Sequence, residues 1–280
     1  MKGHPMSNRR ELLPRGGKRR ERTADQIARA KASAASLDYP ATQVGQTGDI
    51  TVAYDSALGS RGLALAQQFL GAVTGPYNDM QTFFGISGGA VEVVIAPLSG
   101  NNDGSGGAYH YGCDFGPAPD SVLYLDATFA NTSVNPLNLE VGLYVAELSE
   151  CFMGPQGGGW GCGFSNGEGL SRFCAEQETP AGTLTEFASG PAWAQAGFPD
   201  WVTKTEQTDQ DDVSTGCSIV YIYWMRSLGF SIPQIVQAAG ATLSANYQKL
   251  TGKTSAYQDL VAAVKGLTVD SDNPFGGGGS

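Results

Sequence analysis

Residues 135–155 constrain this chain most, because they read as one long helix that is apolar over most of its surface and yet carries three glutamates. Asn135 is a natural cap, Pro136 suits a first helical turn, and Gly154-Pro155 is a stop signal. Leu139, Leu143, Val145, Leu148 and Phe152 supply the apolar positions, which makes this helix the central one of its domain. Glu140, Glu147 and Glu150 fall on or near one face, at spacings of seven and three. Carboxylates on a helix that must be buried need hydrogen-bond partners, a shared proton or a cation.

Upstream, strand and helix patterns alternate. Residues 50–54 are short and β-rich, residues 62–73 have amphipathic helical spacing ended or kinked by Gly75-Pro76, and residues 90–98 and 122–126 read as strands. A Gly/Asn-rich turn over 99–107 and a short edge strand over 109–111 lie between the last two. Downstream the pattern is helical. A glycine-rich loop, 157–163, leads to a second helix from Asn166 or Gly167 that carries Glu168, Arg172 and Glu176. Further helices follow over 214–228, over 234–239 behind a Ser231/Gln234 capping box, and over 241–250 and 255–264. Strands followed by helices indicate an α+β fold, a small mixed sheet with an edge strand and a mainly helical C-terminal half. One domain over 45–275 is expected, with its sheet part at 45–130 and its helical part at 135–266. Residues 1–44 form a basic arm and 276–280 a Gly/Ser linker.

Hydrophobic residues make up 41% of the 280, enough for one large core or two small ones. Residues 1–32 hold ten Lys/Arg against three Asp/Glu, net +7, whereas 33–280 carry seven against twenty-four, net −17. The arm has no interleaved aromatics to stack on bases, which argues against nucleic acid. It reads as a solvated, mostly disordered tail with a short helix over 23–35, able to join copies of the chain by docking on an acidic body. Arg9-Arg10 is not followed by a hydrophobic stretch, and no apolar run approaches the roughly 18 residues that span a bilayer. The expected location is cytoplasmic, with no membrane partner, or secreted where a signal has been removed. Five dispersed cysteines, Cys113, Cys151, Cys162, Cys174 and Cys217, are too few for a disulfide scaffold and are expected as buried thiols. A Cys151–Cys162 bridge or a metal held by Cys151 and Cys174 are the alternatives.

In the zinc-peptidase signature H-E-x-x-H, one helical turn brings two imidazoles to one side while the Glu polarises a zinc-bound water. Ala146-Glu147-Leu148-Ser149-Glu150 keeps the glutamate and lacks both histidines, and the chain holds only His4 and His110. A conventional histidine zinc site is therefore not expected, and carboxylates favour calcium or magnesium. In that chemistry Glu147 activates water, Glu150 and Glu168 hold the hard cation or pass a proton, and His110 or Arg172 steadies the developing anion. The opposing reading is an inert centre whose acids are satisfied by Arg172 or a helix N-terminus. Trp160 either covers a substrate or packs across its loop. Gly85-Ile86-Ser87-Gly88-Gly89 fits G-x-S-x-G, but its order of helix, turn and strand is wrong for a nucleophile elbow. Asn101-Asn102-Asp103-Gly104 and Asp209-Gln210-Asp211-Asp212 offer oxygen ligands without EF-hand spacing.

The order of these parts resembles the zincin metallopeptidase fold, in which a sheet with an edge strand precedes the active-site helix. The helix bearing Asn166-Gly167-Glu168-Gly169-Leu170-Ser171-Arg172 is similar to the third-ligand helix of glutamate-type zincins. The stretch from Gly216-Cys217-Ser218-Ile219-Val220-Tyr221 to Ala263 resembles the closing helices of plant basic-secretory-protein peptidases. Val145-Ala146-Glu147, the Glu168 segment and Asp272-Asn273-Pro274-Phe275 also resemble a group of bacterial proteins of uncharacterised activity. The likeness covers about residues 45–275. It implies Glu147 in the general-base position, Glu168 in the third-ligand position, and a degenerate zincin that is an unconventional hydrolase or a pseudo-peptidase binding a peptide or glycan-like ligand. A non-enzymatic binding or assembly protein is the other class.

Overall fold

A computed structural model describes residues 37–98, 107–116, 121–127 and 135–276. Strands β1 (Ala41–Thr47), β2 (Ile50–Asp55), β3 (Val91–Ala96), β4 (Ala108–Tyr109) and β5 (Val122–Asp126) form one sheet in the order β1-β2-β3-β5-β4. The first two make an antiparallel hairpin, β2, β3 and β5 run parallel, and β4 closes one edge antiparallel to β5. Parallel neighbours need a crossover, which α1 (Gly59–Leu70) and α2 (Thr74–Phe84) supply between β2 and β3.

Side chains alternate across the sheet and bury both faces. Val91, Val93 and Ile95 of β3 join Val52 and Leu123 in the core that includes the helices, whereas Val94 and Ala96 pack with Tyr109 and Tyr124 on the other side. There Tyr109 stacks on Tyr124 with centroids 4.8 Å apart.

The long helix α3 (Pro136–Gln156) packs against α1, α2, β4, β5 and α4 (Ser165–Glu178). Asn135 caps it by accepting from the Asn138 N–H, and from Leu139 to Met153 every residue except Ala146 is buried. The short α5 (Gly190–Gln195) and then α6 (Asp212–Ser227) follow, α6 lying against α4. Their backbones approach closely at Gly169, where a Cβ would sit 2.4 Å from that of Ser218. Helices α7 (Ile232–Ala238), α8 (Leu243–Thr251) and α9 (Ala256–Val264) complete the domain, so the architecture is α+β with a helical C-terminal half.

Several boundaries depart from the sequence reading. Strand β1 starts at Ala41, ahead of the expected border at 45, and the absence of any fully buried side chain explains why no apolar alternation marks it. Gly75-Pro76 opens α2 instead of ending the helix before it, because a proline in a first turn removes an N–H that has no intrahelical partner anyway. Gly154-Pro155 likewise lies inside the last turn of α3. The Ser231 capping box is present in both halves. The expected helix over 23–35, and the turn over 99–107 except Gly107, lie outside the described residues, as does the basic arm before residue 37. Among the described residues no helix is long and apolar enough to cross a membrane.

Candidate functional site

Directly after the edge strand β4, the chain delivers His110 onto the middle of α3. The imidazole is fully buried, and its Nδ1 lies 2.7 Å from Glu147 Oε2. Its other nitrogen, Nε2, lies 3.6 Å from Glu150 Oε2 and 3.8 Å from Cys162 Sγ. One helical turn separates Glu147 from Glu150, so a single imidazole reaches both carboxyls.

Glu168 enters from the first turn of α4. Its Oε1 accepts from Arg172 Nε at 2.7 Å, one helical turn on, and Arg172 Nη1 also donates to the Phe187 carbonyl at 2.8 Å. Glu150 Oε1 and Glu168 Oε2 are both buried and have no hydrogen-bond partner among the described residues. Two ionised carboxylates cannot satisfy each other; a proton on Glu150, shared with Glu168, satisfies both. Burial, then the charges of Glu168 and Glu147, drives the Glu150 carboxyl well above its ordinary range. Burial pushes Glu168 up to about 7 against the opposing pull of Arg172. Burial of the pair thus favours its protonated form.

Cys113 and Cys162 form a disulfide, while Cys151, Cys174 and Cys217 are buried thiols. This corrects the expectation of unbridged cysteines, and of the alternatives, Cys162 pairs with Cys113 and not with Cys151. Sequence spacing could not show it, since the partners are 49 residues apart and meet only because the loop after His110 crosses the end of α3. Gly154 permits that crossing, because a Cβ there would lie 1.8 Å from the Cys113 carbonyl oxygen. The half-buried bridge forms part of the wall around His110 and Glu150.

Ala146, where the zinc-peptidase signature has its first histidine, lines a cavity of about 40 Å³ bounded also by Glu147, Gly142 and Arg172. That is room for about one water. A larger cleft of about 520 Å³ shares Glu176 and Asp272 with the small cavity and is lined also by Tyr223, Arg226, Asn273 and Phe275 among others. Asp272 accepts from the backbone N–H groups of Ser189 and Gly190, and Glu176 accepts from Tyr223 Oη at 2.5 Å. The two acids are hydrogen-bonded to each other, and burial together with the Asp272 charge pushes Glu176 up to about 8.

Of the residues singled out from sequence, His110, Glu147, Glu150, Glu168 and Arg172 converge as one connected centre. Arg172 binds Glu168 and the Phe187 carbonyl, lies 3.9 Å from Asp212, and borders the small cavity. Trp160 is buried, and its indole N–H donates to the Val236 carbonyl at 2.8 Å, which ties the glycine-rich loop to α7. Gly85–Gly89 is the turn between α2 and β3, as its order of elements implies. Asp211 caps α6, and Asp209 is a charged neighbour of Glu150 and Glu168. The Asn101–Gly104 turn lies outside the described residues. Sequence reading passed over the Cys113–Cys162 pair and the Glu176–Asp272 pair; the one available sign was His110-Tyr111-Gly112-Cys113, two ligand-type residues three apart. No family model, curated protein or solved structure matches this chain.

Proposed function

We propose that the chain is a zincin-like pseudo-peptidase, a protein that keeps the peptidase layout and in its disulfide-bonded form binds a peptide or glycan-like ligand without cutting it. One observation carries this reading: each acid in a family position is already engaged and is at most 1% exposed. Glu147 holds His110, Glu168 holds Arg172, and Glu150 retains its proton toward Glu168. A general base must reach a water beside the substrate, and a catalytic metal keeps an open coordination position. Here those groups face one another. The antiparallel edge strand and the glutamate-bearing central helix support the layout, and the roomy cleft beside Glu176 and Asp272 offers the place for a ligand.

Peptide-library incubation with the oxidised protein, read by mass spectrometry, tests the proposal. The expected result is no new peptide termini, with or without added divalent ions. Cleavage that disappears in Glu147→Gln would overturn it and restore the water-activating role. A second reading, an unconventional hydrolase, is favoured by the proton-sharing Glu176–Asp272 pair on the open cleft. It calls for turnover that survives Glu147→Gln and is lost in Glu176→Gln.

A further inference from the structure

The centre holds a ligand set that the count of histidines conceals. We propose that reduction of the Cys113–Cys162 disulfide converts it into a tetrahedral zinc site formed by His110 Nε2, Glu150 and the two thiolates. This does not rest on the pseudo-peptidase reading, since four protein ligands make a closed, structural kind of site.

Geometry argues for it. His110, Cys113 and Cys162 present ligand atoms that all lie within 4.8 Å of one another. Zinc bonds of about 2.3 Å to sulfur and about 2.0–2.2 Å to nitrogen and oxygen, at tetrahedral angles, give ligand-to-ligand edges of about 3.6 Å for N···S, about 3.6 Å for S···O and about 3.4 Å for N···O. The corresponding edges here are 3.8 Å from Nε2 to Cys162 Sγ, 3.4 Å from that sulfur to Glu150 Oε2, and 3.6 Å from Nε2 to Oε2. The face opposite Cys113 thus already has the shape of the coordination polyhedron. Glu150 is not among the ligand atoms that lie within 4.8 Å of one another, so Cys113 must move on both counts, parting from Cys162 to about 3.8 Å and closing on Glu150 to about 3.6 Å, the edges set by the zinc–ligand bonds.

Three further features fit. Glu147 holds Nδ1 of the imidazole at 2.7 Å, which turns the lone pair of Nε2 toward the site, the outer-shell carboxylate that metal-bound histidines commonly have. Glu150 presents Oε2 to both Nε2 and Cys162 Sγ. In the disulfide the 3.4 Å contact of Cys162 Sγ with Glu150 is no hydrogen bond, because neither sulfur carries a hydrogen. Thiolates also change the choice of metal, since two sulfurs and an imidazole suit zinc where carboxylates alone suit calcium or magnesium. In the redox step a dithiol gives up two electrons and two protons, becoming a disulfide while the Cys113–Cys162 bond opens to two thiols. Zinc then displaces both thiol protons and the proton of Glu150.

The test uses full-length protein reduced by a water-soluble phosphine, which is oxidised to the phosphine oxide with oxygen from water while the water's hydrogens pass to the two thiols. Cobalt(II) serves as the optical probe and zinc as the competitor. Expected are one ion per chain in the reduced protein, a thiolate-to-cobalt charge-transfer band, displacement by zinc, and no such binding in the oxidised protein. Cys113→Ser/Cys162→Ser should abolish the band, and Glu147→Gln should weaken binding about 10–100-fold. Zinc-edge X-ray absorption on the unmutated chain guards against a variant that fails to fold, with two sulfurs and two lighter atoms expected. A shell without sulfur, equal binding in the oxidised protein, or no binding after reduction would overturn the proposal.

Discussion

Glu140→Gln should change how stability depends on pH more than it changes stability itself. Both carboxyl oxygens of Glu140 are buried without a hydrogen-bond partner among the described residues. Burial, with the charge of Asp126 adding to it, pushes the group up to about 8 from an ordinary value of 4.5. Between those two values the folded protein keeps a proton that the unfolded chain has released. The stabilisation linked to that proton is complete below the unfolded value and is lost as pH rises through the folded one. From about pH 5 to about pH 8 the loss comes to roughly 3 kcal/mol, at about 1.4 kcal/mol per pH unit wherever the two states differ by a whole proton. Glutamine has no proton to lose. Urea unfolding of both proteins at the two pH values gives a difference of differences in which Glu150, Glu168 and Glu176, raised in both, cancel. The wild type should lose roughly 3 kcal/mol more than the variant on going to the higher pH. Parallel pH profiles would refute the reasoning, because they would mean that the Glu140 carboxyl ionises equally easily in both states.

Two other outcomes follow from the bridge and its surroundings. Reducing the disulfide in the presence of a chelator should lower unfolding stability by about 4 kcal/mol, the loop-closure value for partners 49 residues apart, and zinc should restore part of it; calorimetry with and without the ion checks both. Gly154→Ala should cost about 1–3 kcal/mol or more in denaturant melts, because its methyl would collide with the Cys113 carbonyl. Gly75→Ala, with nothing within 4 Å of the new methyl, is the control and should be neutral or stabilising.

The sheet and the central helix were legible because burial writes itself into residue order. Apolar runs gave β3 and β5, and the cap, proline and near-continuous apolar surface gave α3. Strand β1 left no such mark, because none of its side chains is fully buried and Val44 and Ala41 only half-pack against the cores. At the site, the acids of α3 and α4 could be grouped from helical spacing, but the pairing of Glu147 with His110 could not. It depends on where an edge strand ends relative to a helix that lies later in the chain. The bridge was hidden for the same reason. The partner of Trp160 was not legible either, because its indole N–H meets a carbonyl on a helix far along the chain.

The central proposal is that His110, Glu150 and the two cysteines can together hold a metal. Crystals of reduced, zinc-loaded protein, measured on both sides of the zinc absorption edge, test it most directly. One strong anomalous peak is expected, bounded by His110 Nε2, Glu150 and two separated sulfurs, with Glu147 still on Nδ1. A peak among other residues, or sulfurs parted with the space between them empty of zinc, would contradict it.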